Sequence, residues 1–199
     1  MIQDFIDLNE GINLVYGEPA TGKTTLALMI AYNHSKFYKV IFIDTENGFN
    51  TERFKQIAQE KYKDCLKNII ILKANNFNEQ EKIITNIQET NKTSLIILDT
   101  IGSHYRLELK NNFKEANNKI INMLKILKQL NNKNINVLIT NQVYNDFNTN
   151  KIQSVGGEML KKFCDVVIKL NKSPRKIIRE KPGNAEVLFD IKNEGILIK

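Results

Sequence analysis

The chain has 199 residues, 42% hydrophobic and 26% charged, enough for one domain with a sizeable core and too few for two comfortable ones. Its 29 Lys and Arg against 22 Asp and Glu give a formal charge of +7, a mild excess compatible with polyanionic partners. The apolar runs are too short to span a bilayer and Met1-Ile2-Gln3-Asp4 lacks a basic leader, so a cytoplasmic protein is expected, with no membrane partner.

Short runs rich in Ile and Val alternate with stretches of helical period, the pattern of an α/β fold with a mainly parallel sheet flanked by helices. Gly11 to Tyr16 reads as the first strand and Thr24 to Ser35 as the first helix. Between them Gly17-Glu18-Pro19-Ala20-Thr21-Gly22-Lys23-Thr24 fits GxxxxGK[ST], with Thr25 following inside the helix. A strand before and a helix after are the context this phosphate loop requires. Backbone N–H groups then converge on phosphate oxygens at the positive end of the helix dipole, Lys23 adds a full charge, and the Thr24 hydroxyl is a Mg²⁺ ligand. ATP and Mg²⁺ are the expected ligands.

Lys39 to Asp44 is the second strand, delivering Asp44-Thr45-Glu46 at its carboxyl end. Hydrolysis needs an acceptor that orients the attacking water, and Glu46 is placed to be it. Asp44 reads as structural, and a solvated loop acid is the alternative for Glu46. Asn50 to Lys61 follows as a helix carrying Arg53, one of only four Arg beside 25 Lys. Where Lys is the default cation, an Arg marks a place for a flat, bidentate or stacking group.

Ile69 to Leu72 is a third strand, Glu79 to Thr90 a helix, and Ser94 to Leu98 a buried strand ending in Asp99. At the carboxyl edge of a parallel sheet Asp99 faces the phosphate loop and can hold a Mg²⁺-bound water; a turn Asp is the alternative. Phe113 to Leu130 is the longest helix, with Phe113, Ala116, Ile120, Met123, Leu124, Leu127 and Leu130 on its packing face. Ile135 to Thr140 is the next strand, and Gln142 beyond it is either a γ-phosphate contact or an amide capping the strand. Tyr144 to Gln153 is polar, Asn-rich and aperiodic, a long loop of suspected function. A short helix, Glu158 to Cys164, precedes an antiparallel meander punctuated by Pro174, Pro182-Gly183-Asn184 and Asn193-Glu194-Gly195. Cys65 and Cys164 form no CxxC pair and His34 and His104 give no zinc spacing, so both thiols are expected in the core.

Gly17 to Thr24, Asp44-Thr45-Glu46-Asn47 with Thr51-Glu52-Arg53, Leu98-Asp99 with Ser103-His104-Tyr105-Arg106, Thr140-Asn141-Gln142-Val143, Val155-Gly156-Gly157 and Asn193-Glu194-Gly195-Ile196 occur in that order. Together they resemble the ATPase core of archaeal RecA/RadA-type recombinases, most closely the short paralogue that consists of the core alone. The resemblance implies a RecA-type P-loop NTPase core with a C-terminal antiparallel extension, spanning 1–199 as one domain with a stub at 1–10. Glu46 matches the family's catalytic glutamate, Arg53 its adenine-stacking arginine and Gln142 its γ-phosphate sensor. Two stretches match its DNA-facing loops: Ser103 to Asn112, with His104, Tyr105, Arg106 and Lys110, and Tyr144 to Gln153, with Tyr144, Phe147 and Lys151. Aromatic and basic groups together suit single strands.

Departures from the family temper these expectations. A helical N-terminal domain and the linker Phe-x-x-Ala that polymerises filaments are not found before the first strand. Phe113-Lys114-Glu115-Ala116 has those letters but is assigned to helix packing. The meander around Arg179, Lys181 and Pro182 resembles the region that caps ATP across a subunit interface. The expected protein is therefore a weak ATPase that binds single-stranded or branched DNA and assists recombination and repair rather than performing strand exchange. Its implied partners are the main recombinase and a Holliday-junction resolvase. The alternatives are a non-hydrolysing ATP-switched mediator, a circadian-clock-type RecA-fold ATPase, and a small-molecule kinase, disfavoured because no Arg-rich lid follows the P-loop.

Overall fold

The computed structural model describes residues 6, 8, 11–87, 93–146, 151–154 and 156–199, with backbone alone at 144–146 and 151–154. Phe147 lies outside the described residues. The strands are β1 (Ile12–Gly17), β2 (Lys39–Asp44), β3 (Ile69–Lys73), β4 (Thr93–Asp99), β5 (Asn136–Asp146), β6 (Lys151–Ser154), β7 (Val166–Lys172), β8 (Arg175–Lys181), β9 (Ala185–Lys192) and β10 (Gly195–Ile198). The helices are α1 (Lys23–Ser35), α2 (Thr51–Ala58), α3 (Tyr62–Leu66), α4 (Phe77–Thr85), α5 (Gly102–Glu108), α6 (Phe113–Asn131) and α7 (Gly157–Phe163).

Among the described residues the strands lie in the order β10-β9-β8-β7-β1-β5-β4-β2-β3, with β6 pairing β5 off this path. From β7 to β3 every pairing is parallel, and β7 through β10 continue antiparallel. Parallel strands covered on both faces must be apolar on both faces. Leu95, Ile96, Ile97 and Leu98 are accordingly all buried, Ile96 and Leu98 with α4, α5 and α6 on one face, Leu95 and Ile97 with α1, α2 and α3 on the other. Cys65 and Cys164 are both buried. Among the described residues no helix is long and apolar enough to cross a membrane.

The abundant Asn has a use in this fold. Asn50, Asn76 and Asn112 are the N-caps of α2, α4 and α6, each accepting a backbone N–H with its side-chain oxygen, which satisfies donors the first helical turn leaves unpaired. Phe42 in β2 packs edge-on against Phe49, which stacks on Phe54 of α2, with centroids 5.1 and 5.9 Å apart. This cluster anchors the segment after β2 that carries Glu46. Phe42→Ala is expected to destabilise the protein by about 3–5 kcal/mol through the cavity it leaves, read as a lowered denaturation midpoint.

The structure corrects several of these expectations, among them the helix over 79–90, which spans Phe77–Thr85. Ser103 to Asn112 is mostly helix α5 rather than loop, and within the expected loop Tyr144 to Gln153 the described residues 144–146 and 151–153 are strand, with Tyr144 paired to Gln153 and Asp146 to Lys151. The helix expected over 50–61 breaks at Gln59, which has φ +52°, into α2, a short 3-10 turn and α3. Phe113 is 68% exposed, so it does not pack with the rest of the α6 stripe. It occupies the first helical turn, ahead of the buried face that begins at Ala116.

Candidate nucleotide site

Parallel alignment brings the carboxyl ends of β1, β2, β4 and β5 to one edge of the sheet. Gly17 lies opposite Gln142 and Asp44 opposite Asp99, the edge where ligands of such sheets bind. The loop 18–22 turns there into α1. Gly22 supplies the left-handed backbone at the helix N-cap with φ +105°, which glycine adopts without steric penalty. A Cβ on Gly17 would collide with the Leu170 carbonyl oxygen of β7. The Thr21 hydroxyl donates to the Glu18 carbonyl at 2.9 Å, and the Lys23 ammonium reaches back to the carbonyls of Gly17 and Glu18 at 2.9 and 2.8 Å. Burial holds the Lys23 pKa below its usual value, against the opposing pull of Asp99, Glu46 and Glu18. From the β7–β8 turn, Lys172 pairs with Glu18 at 3.1 Å and Arg175 donates to the Ala20 carbonyl at 3.3 Å. The sequence carried no signal for either brace.

Behind the loop, the Thr24 hydroxyl donates to Asp99 Oδ2 at 2.9 Å and the Thr140 hydroxyl donates to Oδ1. Burial pushes the Asp99 carboxyl above the ordinary aspartate range, more than these hydrogen bonds and Lys23 pull it down. A hydroxyl and a carboxylate are hard oxygen donors, the ligand type Mg²⁺ takes along with waters and phosphate oxygens. Thr24 and Asp99 together fit part of such a coordination shell.

Asp44 is buried and accepts backbone N–H groups from Glu46, Gly48 and Phe49 at 3.2, 2.9 and 3.0 Å. It shapes the turn that projects Glu46, as its structural reading requires. The Gln142 amide donates to both Glu46 carboxylate oxygens at 2.8 Å, joining the segment beyond β2 to β5 across the end of β4. Burial raises the Glu46 pKa and the Asp99 charge raises it further, opposed by hydrogen bonds to Ser103 and Gln142 and by Lys23. A carboxylate at the cleft with elevated basicity and a fixed orientation is equipped to take a proton from water.

These groups line a cleft of about 300 Å³ together with Pro19, Ala20, Gly22, Thr25, Thr100 and Ile191. Ile191 and Thr100 were not singled out from sequence; an aliphatic residue in β9 gives no local motif. Arg53 stands beside the cleft rather than in its lining. Its guanidinium donates to the carbonyls of Lys192 and Asn193 at 2.7 and 3.1 Å and to Gln56 at 2.8 Å.

The candidate DNA residues separate. Arg106 and Lys110 are exposed. Tyr105 is 2% exposed, packs on Phe77 with centroids 6.0 Å apart and gives its hydroxyl to Asn117; it belongs to the core, because it lies on the inner face of α5. His104 is half-buried with Nε2 2.8 Å from the Ala74 carbonyl oxygen, so that ring edge is occupied. Tyr144 and Lys151 lie in the β5–β6 hairpin, where the backbone alone is described.

Comparison with known proteins agrees with this geometry. The Rad51 family model matches residues 8–197. A DNA repair and recombination protein RadB from Methanocaldococcus jannaschii is 40% identical, the alignment covering 94% of this chain and 92% of the relative. A RadB from Methanosphaera stadtmanae is 33% identical over 94% and 87%. A crystal structure of the RadB recombinase superposes with a TM-score of 0.77 at 28% identity, covering 94% of this chain and 90% of that one. The short paralogue that the motifs resemble is thus RadB, and the chain belongs to the RadB branch of the Rad51 family.

Proposed function

We propose that the protein is a single-domain, ATP-binding and weakly hydrolysing accessory of homologous recombination and DNA repair, acting on single-stranded or branched DNA. The observation that carries this reading is the constellation at the sheet edge. Asp99 and Thr24 meet behind the phosphate loop while Gln142 holds Glu46 on its far side. The recombination role rests on the likeness to the RadB proteins.

In this reading the loop amides and Lys23 hold the triphosphate, with Lys23 transferring its hydrogen bonds from the loop carbonyls to phosphate oxygens. Thr24 and Asp99 would hold Mg²⁺, which supplies charge neutralisation on the phosphates when bound. Glu46 accepts the proton of the attacking water, and the products are ADP and phosphate. Gln142 fixes the carboxylate and, at the root of the β5–β6 hairpin, connects the terminal phosphate to a DNA-facing element. Weak turnover follows from the resemblance, in which a neighbouring subunit completes the site. A main recombinase and a Holliday-junction resolvase are the proposed protein partners.

The DNA reading is tested at Arg106. If it contacts phosphate, Arg106→Ala weakens single-stranded DNA binding and lowers the slope of log affinity against log salt by about 1. An unchanged slope in a binding titration removes Arg106 from the interface.

A further inference from the structure

We propose that Lys161 of α7 is a positioning residue: through Tyr16 and Glu180 it anchors the β6 side of the β5–β6 pair to the root of the phosphate loop, so that ATP sensed at Gln142 changes DNA binding. The proposal rests on the nucleotide and DNA reading above and adds the hold that lets the two sites communicate.

Tyr16 directly precedes Gly17, the first residue of the phosphate loop, and strand pairing sets it between Asn141 of β5 and Lys169 of β7. It is 6% exposed, and its hydroxyl donates to Glu180 Oε1 of β8 at 2.6 Å. Lys161 closes the triangle. Its ammonium donates to the Tyr16 hydroxyl at 3.0 Å and to Glu180 Oε2 at 2.8 Å, and stands 4.6 Å from the centre of the Tyr16 ring. Burial, and then the bond to Glu180, push the Tyr16 pKa up to about 12, so the phenol keeps its proton and donates. At the other end of β8, Arg175 donates to the Ala20 carbonyl of the loop at 3.3 Å. The direction of the Lys161 side chain is therefore set by two strands that both hold the phosphate loop.

α7 depends on this fixture. It has seven residues, too few for a helix to persist by itself, and Leu160 is its one buried residue. It begins at Gly157, just after β6 ends at Ser154, and packs against β6. Gln142, opposite Gly17 and bonded to Glu46, acts on the β5 side of the same pair. A change imposed on β5 alters how the pair meets DNA only if β6 keeps its place; with β6 loose, the change is spread over many arrangements of that strand. Lys161 supplies the hold from outside the residues that line the cleft.

The test measures the affinity of the whole chain for a labelled oligothymidine single strand, with and without ATP and Mg²⁺, and ATP binding alone by calorimetry. Lys161→Met is expected to reduce the ATP-induced gain in DNA affinity to about twofold or less. ATP affinity, and DNA affinity without nucleotide, should stay within about twofold of wild type. Lys161→Arg, which can donate to both partners, should restore the gain. Tyr16→Phe, which keeps the Lys161–Glu180 ion pair and serves should Lys161→Met not fold, is expected to lose it, and the double variant to lose no more than either alone. Hydrogen exchange should quicken in β6 and α7 of the methionine variant and not in β1 or α1. An undiminished gain, a parallel loss of ATP affinity, or exchange that quickens equally in β1 overturns the proposal. Wild-type protein whose DNA affinity ATP leaves unchanged overturns the reading beneath it instead, so the two failures are distinguishable.

Discussion

Glu46→Gln is expected to retain ATP binding and to lose hydrolysis by at least about 100-fold. The substitution is isosteric, and an amide oxygen at this position can still accept from Gln142 Nε2, which now lies 2.8 Å from both carboxylate oxygens. The geometry survives and only the proton acceptor is removed. The wild-type pH profile has a defined sign. Burial first, and the Asp99 charge second, raise the Glu46 pKa above the ordinary 4.5. The carboxyl must be ionised to take a proton from water, so hydrolysis rises with pH and the midpoint of the acid limb lies above that value. A glutamine variant with unchanged turnover removes Glu46 from the mechanism.

Lys23→Met is expected to abolish the rise in melting temperature that ATP and Mg²⁺ produce. A ligand at 1,000 times its dissociation constant stabilises the folded state by about 4 kcal/mol, and a variant that no longer binds loses all of it. The melting temperature without nucleotide should change little. Deleting the ammonium costs its hydrogen bonds to Gly17 and Glu18 but also removes a largely buried charge, and these oppose each other. Thermal melts of both proteins, with and without ATP and Mg²⁺, read both quantities. An undiminished nucleotide shift contradicts the phosphate-binding role.

The phosphate loop and the fold class were legible because their signals are local. GxxxxGK[ST] between an apolar strand and a helix is contained in a dozen residues, and the two-sided apolar strands announce a parallel sheet by composition. Asp99 and Glu46 were legible as acids at strand ends, since a parallel sheet sends all such ends to one edge. What escaped was set by long-range packing. Tyr105 looked like an aromatic on a DNA loop because its inward direction depends on Phe77 and Asn117, contributed by α4 and α6. The Asn-rich stretch from Tyr144 to Gln153 gave no strand alternation, yet Tyr144 to Asp146 at the end of β5 pair with β6. Phe113 fits the helical period and is nonetheless exposed, because the buried face of α6 starts one turn later. Ile191, Lys172 and Arg175 reach the site from strands more than 140 residues after the loop they touch, and no motif reports such a contact.

In the proposed function, nucleotide at the sheet edge is sensed by Gln142 and alters binding of DNA at the β5–β6 pair. It is tested most directly by the affinity for single-stranded and branched DNA, measured with and without ATP and Mg²⁺ across a salt series. Binding that falls linearly with log salt and strengthens when nucleotide is present is the predicted result. Binding that is absent, insensitive to salt, or identical with and without nucleotide would contradict the account.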